Sequence, residues 1–454
     1  MSRTWIGVFW ISFAVGCGSV AARDDAGAPA DAAMVTVPVD AEPDAPPLGN
    51  DPGVWPNQMS AAISDPWIAA HHDEIREMHP RVLALNFVNG RTNAEMTALL
   101  AQIFAGLQEG SRYHGYRDAA APPFLFYELA RSVDLTDRPV PPGWALRNST
   151  RYPRKPAGTA DYWHLHYGAL FTQQFADYYH FADPANPARN LTLCELLRRG
   201  VVHEVWIYGD ADTPGDVNAA EVLELKQRYD DQDRPVPGSF DPCAGNGCFD
   251  ASDIPACGVS VRIPWVNHSR GPGCLLHSLG HGFESMTGGA ARSPAAIPYL
   301  GKNFPHFANF DLRERQIGTS FQSWYDACDG NCASFTGPNS FTWHDSRGMT
   351  GEVAAYDQGC GSVHFPPNAR AHYDDQNPFG VRSTCEHYGL HDGPGGSDLT
   401  EIYTNARSRL YDRLAPDCGG GWQVYWRQSF PGYHNPAKDA AGAPMKNWWV
   451  YPFY

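Results

Sequence analysis

Three side chains that can bind a metal ion follow one another at helical spacing. His277, His281 and Glu284 stand at positions i, i+4 and i+7, so a helix over residues 271–286 would point all three from one face. Imidazole nitrogens and carboxylate oxygens are the groups by which proteins bind zinc and related ions. The spacing therefore predicts a divalent metal site on this segment, with zinc as the expected ion.

The pair His277 and His281 resembles the zinc-binding helix of zincin metallopeptidases, in which two histidines one turn apart flank a catalytic glutamate. Ser278 stands in the place of that glutamate, so the general base of that family is missing here. His203 and Glu204 lie together on a predicted strand and are the candidates for a substitute acid or base. The resemblance covers residues 277–284 and implies a metal-dependent hydrolase.

Ser278 also allows a different chemistry, because His-Ser-Leu-Gly resembles most of the nucleophile elbow of the α/β-hydrolases. On a strand-to-helix turn Ser278 would be an exposed nucleophile, completed by a histidine and an acid from the second half of the chain. Leu276 replaces the first glycine of the elbow, and its Cβ should clash in so tight a turn. A third interpretation is that both histidines are hydrogen-bonded core residues. The sequence leaves all three interpretations open.

An acidic stretch, residues 210–221, resembles the twelve-residue calcium loop of the EF-hand. Its candidate ligands are Asp210, Asp212, Asp216, Asn218 and Glu221. Pro214 stands where that loop has Asp or Asn, and a predicted strand rather than a helix precedes the stretch. The stretch predicts a calcium site outside an EF-hand. The alternative is an acidic turn that caps a following helix.

Further polar residues lie among the aromatic residues of the second half of the chain. They are Trp343, His344, Asp345, His364, His372, Asp374, Asp375, Glu386 and His387. Paired carboxylates and exposed aromatic rings are typical of glycosidases and of glycan-binding clefts. A non-catalytic surface protein that binds a glycan or another envelope component is therefore the alternative function. Polar turns above buried tryptophans are the simpler explanation of the same pattern.

The elements that would position these side chains alternate between strands and helices over about residues 80–290, which predicts an α/β core. The predicted strands are residues 82–88, 123–129, 201–209 and 259–266. The predicted helices are residues 67–78, 93–107, 162–181, 191–199, 221–229 and 271–286. We therefore expect an α/β domain at residues 54–290. Clusters of Gly, Pro, Cys and Trp predict a loop-rich, disulfide-tied region at 291–454, packed on that domain.

The N-terminal residues 1–22 contain Arg3 and an apolar run, a pattern typical of a secretory signal that is too short to span a bilayer. Residues 14–17, Ala-Val-Gly-Cys, resemble the lipobox of bacterial lipoproteins, which implies cleavage before Cys17 and a lipid on its sulfur. Cleavage after Ala21 or Ala22 is the alternative. Residues 23–53, rich in Ala, Asp and Pro, predict a disordered tether. We expect an exported protein that is lipid-anchored to the cell envelope or secreted.

The net charge and the cysteine content limit the classes of partner and the compartment that we expect for this protein. The 454 residues carry a formal net charge of -16 and show no basic stripe, which argues against a nucleic-acid partner. The 11 cysteines include Cys17, and the even number left in an exported chain favours disulfides. The leading hypothesis is a lipid-anchored, metal-dependent hydrolase of a peptide or polysaccharide. A serine hydrolase that uses Ser278 is the third candidate.

Overall fold

A six-stranded mixed sheet forms the centre of the fold in the computed structural model. The structure describes residues 47–136, 152–156, 163–209, 217–218, 221–242, 244–245, 253–287, 297–309, 333–344, 348 and 350–454. The described residues all belong to one compact unit, residues 42–454. No helix among them is both long enough and apolar enough to cross a membrane.

The strands of the described residues are β1 (Val54–Trp55), β2 (Glu77–Met78), β3 (Arg81–Asn86), β4 (Glu128–Asp134), β5 (Arg154–Pro156), β6 (Trp163–Leu165), β7 (Ala182–Asp183), β8 (Asn186–Asn190), β9 (Glu204–Gly209), β10 (Val217–Asn218), β11 (Val222–Tyr229), β12 (Pro235–Asp241), β13 (Val261–Asn267), β14 (Ala333–Gly337), β15 (Ser340–His344), β16 (Thr350–Val353), β17 (Val381–Ser383) and β18 (Glu401–Tyr403).

The α-helices of the same residues are α1 (Ser64–His71), α2 (Asn93–Gly110), α3 (Gln173–Tyr179), α4 (Leu193–Arg198), α5 (Pro272–Met286), α6 (Pro298–Ala308), α7 (Asn405–Ser408) and α8 (Gly420–Gln428). Short 3-10 helices span Tyr167–Phe171, Cys385–His387, Pro394–Gly396, Arg409–Tyr411 and Trp448–Phe453.

The central sheet has the strand order β12-β11-β13-β9-β3-β4. Strands β13, β9, β3 and β4 are parallel, and β11 is antiparallel to both of its neighbours. Along β3, Val82 and Ala84 enter one hydrophobic core while Leu83 and Leu85 enter the other. Helices therefore cover both faces of the sheet, as continuous apolar strands require. The predicted α/β core is confirmed.

Helices α2, α5 and α8 pack against one another on one face of this sheet, and α5 contacts β11 and β13. The start of α2 is fixed by a capping box. Thr92 Oγ1 accepts from the backbone N–H of Glu95 at 3.2 Å, and the Glu95 carboxylate accepts from the backbone N–H of Thr92 at 2.7 Å. The capping box confirms the predicted start of the second helix. It also fixes the position at which α2, a helix that packs on α5, begins.

Residues 222–229 form the strand β11, so the helix predicted at 221–229 is wrong. Most of these residue types favour helices, but the segment pairs with β12 on one side and β13 on the other. Glu224 is buried and forms an ion pair with Arg262 of β13. The stabilisation from pairing with two strands and from the buried ion pair outweighs the helix propensity of these residues, which amounts to about a few tenths of a kcal/mol per residue.

Other element boundaries also differ from the sequence-based predictions. The first helix ends at His71, and the strand expected at 123–129 forms later, as β4. The segment expected as one helix at 162–181 contains the strand β6, a 3-10 turn and α3. Aromatic residues dominate that segment, and their buried rings do not reveal where a chain changes direction.

The second half of the chain is tied by disulfides and contains long irregular segments. The described disulfides are Cys194–Cys257, Cys274–Cys418 and Cys360–Cys385. Residues 354–380, all of them described, contain no α-helix or strand. The loop-rich, disulfide-tied region is therefore confirmed, although it also contains α6, α8 and the three-stranded sheet β14-β15-β16. Cys243, Cys248, Cys328 and Cys332 lie outside the described residues.

Candidate metal centre

Helix α5 forms as the spacing of its histidines predicts, and its first turn shows why. Pro272 occupies the first helical position, where its missing N–H costs nothing. The carboxylate of Asp417 accepts the backbone N–H groups of Gly271 and Gly273, each at 2.9 Å. An anion bound to free N–H groups stabilises a helix N-terminus. The helix therefore presents His277 and His281 on one face.

A third histidine completes a cluster on that face. The Nε2 atom of His277 lies 3.0 Å from the Nε2 of His281 and 3.0 Å from the Nε2 of His364. The Nε2 atoms of His281 and His364 are 2.9 Å apart. His364 comes from the irregular segment between β16 and β17. Three imidazole nitrogens from two distant segments thus converge on one point.

This cluster could hold a metal ion. Three nitrogens bound to tetrahedral zinc at about 2.0–2.1 Å lie about 3.3 Å from one another, close to the separations between these Nε2 atoms. A point at that distance from all three lies about 1 Å outside their plane, as in a tetrahedral site with three protein ligands. Three lone pairs this close repel one another unless a cation or protons lie between them. The donor set and its geometry fit a divalent ion.

Glu284, predicted as the third ligand, lies behind the cluster. Its Oε2 is 3.1 Å from Nδ1 of His281, and its Oε1 accepts the backbone N–H of Val363 at 2.9 Å. The hydrogen bond places the proton of a neutral His281 on Nδ1, so its Nε2 lone pair faces the cluster. Val363 immediately precedes His364. One carboxylate therefore orients one ligand directly and positions the backbone next to another.

Electrostatics favour the neutral form, the form that binds metal, for two of the three histidines. Burial lowers the pKa of His277 well below its usual value, and the positive charge of a protonated His281 lowers it further. Burial and the neighbouring histidines likewise lower the pKa of His364. For His281, burial also disfavours the charged form, but the Glu284 carboxylate outweighs it and raises the pKa. A cation requires neutral imidazoles, so it binds to His277 and His364 as they stand and displaces any proton from Nε2 of His281.

Comparison with known proteins finds no matching family model, no matching curated protein and no matching solved structure.

Replacing Glu284 with glutamine should weaken metal binding by about 10-fold to 100-fold, the usual effect of losing a carboxylate that orients a histidine ligand. Glutamine keeps the size of the side chain and an oxygen for the Val363 N–H, so the fold should survive. Competition with a chromophoric chelator measures the affinity. Glu74→Gln, at an exposed position, is the matched control and should bind metal as the wild type does. Equal affinity in both variants would contradict the role given to Glu284.

Ser278 lies inside α5 and not on a strand-to-helix turn. Its Oγ donates to the backbone carbonyl of Cys274, one turn earlier, at 3.1 Å. The exposed backbone turn that activates an elbow serine is therefore not formed at this position. The segment is therefore a helix, and Ser278 is an ordinary helical serine whose hydroxyl bonds to the preceding turn.

His203 and Glu204 are not brought to the histidine cluster. The Nδ1 of His203 accepts the backbone N–H of Arg81 at 3.0 Å, and its ring packs on Trp55 with centroids 4.3 Å apart. Burial lowers the pKa of His203 to about 3. Both residues instead line a separate cavity, which residues of β11 and β13 also line.

Glu204 belongs to a buried ionic network of the sheet. Its carboxylate accepts from Tyr127 Oη at 2.9 Å and from Trp206 Nε1 at 2.8 Å, and it lies 3.3 Å from Nη1 of Arg262. Arg262 also pairs with Glu224. Burial raises the pKa of Glu204, although Arg262 opposes this. This network stabilises the sheet, and none of these contacts reaches the three histidines.

The predicted calcium stretch is described only at its end. Asp210, Asp212 and Asp216 lie outside the described residues, and Asn218 ends the two-residue strand β10. Glu221 is exposed and directly precedes β11. Its negative charge is among the causes that raise the pKa of His281. Calcium binding at this stretch stays a prediction.

Cys274, Asp417 and Cys418 form a second group with ligand atoms close together. The two sulfurs, however, are joined to each other as a disulfide, and Asp417 caps α5. A disulfide sulfur is not the thiolate that binds metal ions. Among the described residues, the three histidines are therefore the better metal site.

Of the polar residues predicted in the second half, His364 alone is among the three ligands. The ring of His372 lies 5.6 Å from that of His364, Asp374 pairs with Arg370, and His387 lies between two carboxylates. Asp345 is outside the described residues. The described tryptophans of this half are buried, namely Trp343, Trp422, Trp426, Trp448 and Trp449. This burial offers no exposed indole face for a glycan.

Proposed function

We propose that this protein is a metal-dependent hydrolase whose ion, zinc or a similar divalent metal, is held by His277, His281 and His364. The observation that carries the proposal is the convergence of their three Nε2 atoms within 3.0 Å. Structural zinc sites usually have four protein ligands, whereas catalytic sites have three and keep one position open. The side chain of His281 is 20% exposed, which leaves the cluster accessible from solvent.

The bound ion would lower the pKa of a coordinated water to about 7 and polarise a carbonyl or phosphoryl oxygen. The chain's own residues supply the rest. Burial keeps His277 neutral, and Glu284 orients His281 through its Nδ1. Since Ser278 stands where zincins have their base, we assign the acid or base role to Glu221, an exposed carboxylate whose charge helps to raise the pKa of His281. A peptide or polysaccharide is the proposed substrate.

We further propose that the protein is exported and anchored to the cell envelope through a lipid on Cys17. Three disulfides support export, because disulfides persist in oxidising compartments. The lipobox-like residues 14–17 support the anchor. An enzyme held at a surface would reach envelope polymers and peptides nearby.

Two alternatives have less support from the described residues. A glycan-binding protein would use exposed aromatic rings, but the described tryptophans of the second half are buried, which leaves Tyr373 and Phe379 as the exposed aromatic residues described there. A serine hydrolase would need Ser278 on a strained turn, but this residue hydrogen-bonds within α5.

Treatment with a chelator should abolish hydrolysis by the full-length protein, and zinc should restore it, because the ion activates the water. The assay uses libraries of quenched fluorescent peptides and of labelled polysaccharides, and compares wild type with Ser278→Ala. The variant should hydrolyse the same substrate at the wild-type rate. A serine-directed phosphonate that labels the wild type but not Ser278→Ala would overturn the proposal in favour of a serine hydrolase. Polysaccharide binding without hydrolysis would favour the glycan-binding protein.

A further inference from the structure

Tyr373 has a backbone conformation that bulky side chains rarely adopt. Its φ is +60°, in the left-handed region, where a Cβ approaches the following carbonyl oxygen. Residues strained in this way persist only where the surrounding structure holds them, and they are concentrated at functional sites. The conformation of Tyr373 therefore suggests a functional role, which the contacts of its backbone and of its ring define.

A short braced loop holds Tyr373 against the metal-binding cluster. Its backbone N–H donates to the carbonyl of His364 at 3.0 Å, and its carbonyl accepts the N–H of Asp375 at 3.0 Å. Beside it, the Arg370 guanidinium donates two hydrogen bonds to the Asp374 carboxylate, at 2.6 and 3.0 Å. A two-point contact of this kind fixes geometry as well as charge. The loop that supplies the third ligand thus also fixes Tyr373.

The ring of Tyr373 contacts two of the three ligands. Its centroid lies 4.2 Å from that of His364 and 5.5 Å from that of His277, at 24° to the plane of the His277 ring. The residue is nevertheless 40% exposed. A side chain that packs on two ligands and faces solvent at the same time lies beside the approach to the cluster.

We propose that Tyr373 is a catalytic residue of this site, whose hydroxyl hydrogen-bonds the water or substrate oxygen held beside the three histidines and whose ring forms one wall of the approach. This inference rests on the proposed function. A phenol both donates and accepts hydrogen bonds, so it can orient the attacking water or stabilise the negative charge that develops on a substrate oxygen. The strained backbone and the Arg370–Asp374 brace keep the ring in position before a substrate binds.

The test compares Tyr373→Phe with wild type after both are loaded with Co²⁺. Phenylalanine keeps the ring but removes the hydroxyl, so cobalt affinity should not change. The pH at which the cobalt absorption spectrum changes should shift, and kcat should fall by about 100-fold with KM nearly constant, as for the loss of one donor to developing charge. Tyr433→Phe is the matched control. Its ring stacks on His434 at 3.9 Å, and it should leave both measurements unchanged.

A cobalt pH profile and a kcat equal to those of the wild type would overturn the role of Tyr373. A fall in cobalt affinity that accounts for the whole loss of activity would also overturn it, because the residue would then only support the ligands. If the wild type binds cobalt but no substrate is found, the pH profile alone decides. Failure of the wild type to bind cobalt is a separate result, which overturns the proposed metal centre itself.

Discussion

Replacing Arg262 with methionine should lower the free energy of unfolding by about 3–5 kcal/mol at pH 7, the cost of leaving a buried ionic partner uncompensated. Arg262 is buried between Glu204 and Glu224, which are 2% and 3% exposed. Methionine fills most of the volume but leaves two carboxylates without a cation. Urea unfolding followed by tryptophan fluorescence measures the loss.

The loss caused by Arg262→Met should be smaller at pH 5 than at pH 7. Burial already raises the pKa of Glu204, and removing the arginine removes the charge that opposes this rise. The carboxylate then takes up a proton more readily as the pH falls, which relieves the buried charge. Arg234→Met, which breaks an exposed pair with Asp230, is the matched control and should cost under about 1 kcal/mol. Equal losses in the two variants would contradict the buried network.

The sequence patterns that predicted correctly were local ones. Apolar runs at residues 82–88, 201–209 and 259–266 correspond to β3, β9 and β13, because a strand covered on both faces must be apolar throughout. Helix α5 was predictable because its histidine spacing and its initial proline all lie within one short segment. Each of these signals depends on neighbouring residues only.

The third ligand could not be predicted, because nothing local connects it to α5. His364 is 83 residues after His281, on a segment without helix or strand, and only the tertiary fold brings the two together. Sequence spacing shows which side chains share a helical face, but not which imidazole nitrogen a carboxylate will meet. Glu284 therefore looked like a ligand and instead contacts Nδ1 of His281.

Replacing His364 with alanine should weaken zinc binding by on the order of 100-fold to 1,000-fold, because one of three ligands, and its share of the binding free energy, is lost. Hydrolysis should be lost with it. His344→Ala is the control, since His344 is an exposed histidine at the end of β15. It should bind zinc as the wild type does. Zinc content after dialysis against a weak chelator gives the comparison, and equal content in the two variants would contradict the assignment of His364.

X-ray absorption at the zinc edge tests the three-histidine centre most directly, because it reports which atoms surround the ion. For zinc-loaded wild type we expect three imidazole nitrogens at about 2.0–2.1 Å, with an oxygen in the remaining position. The His364→Ala variant should lose one of those imidazoles or lose the zinc. Sulfur at about 2.3 Å would instead place the ion at cysteine thiolates, and wild-type protein that retains no zinc would contradict the metal centre altogether.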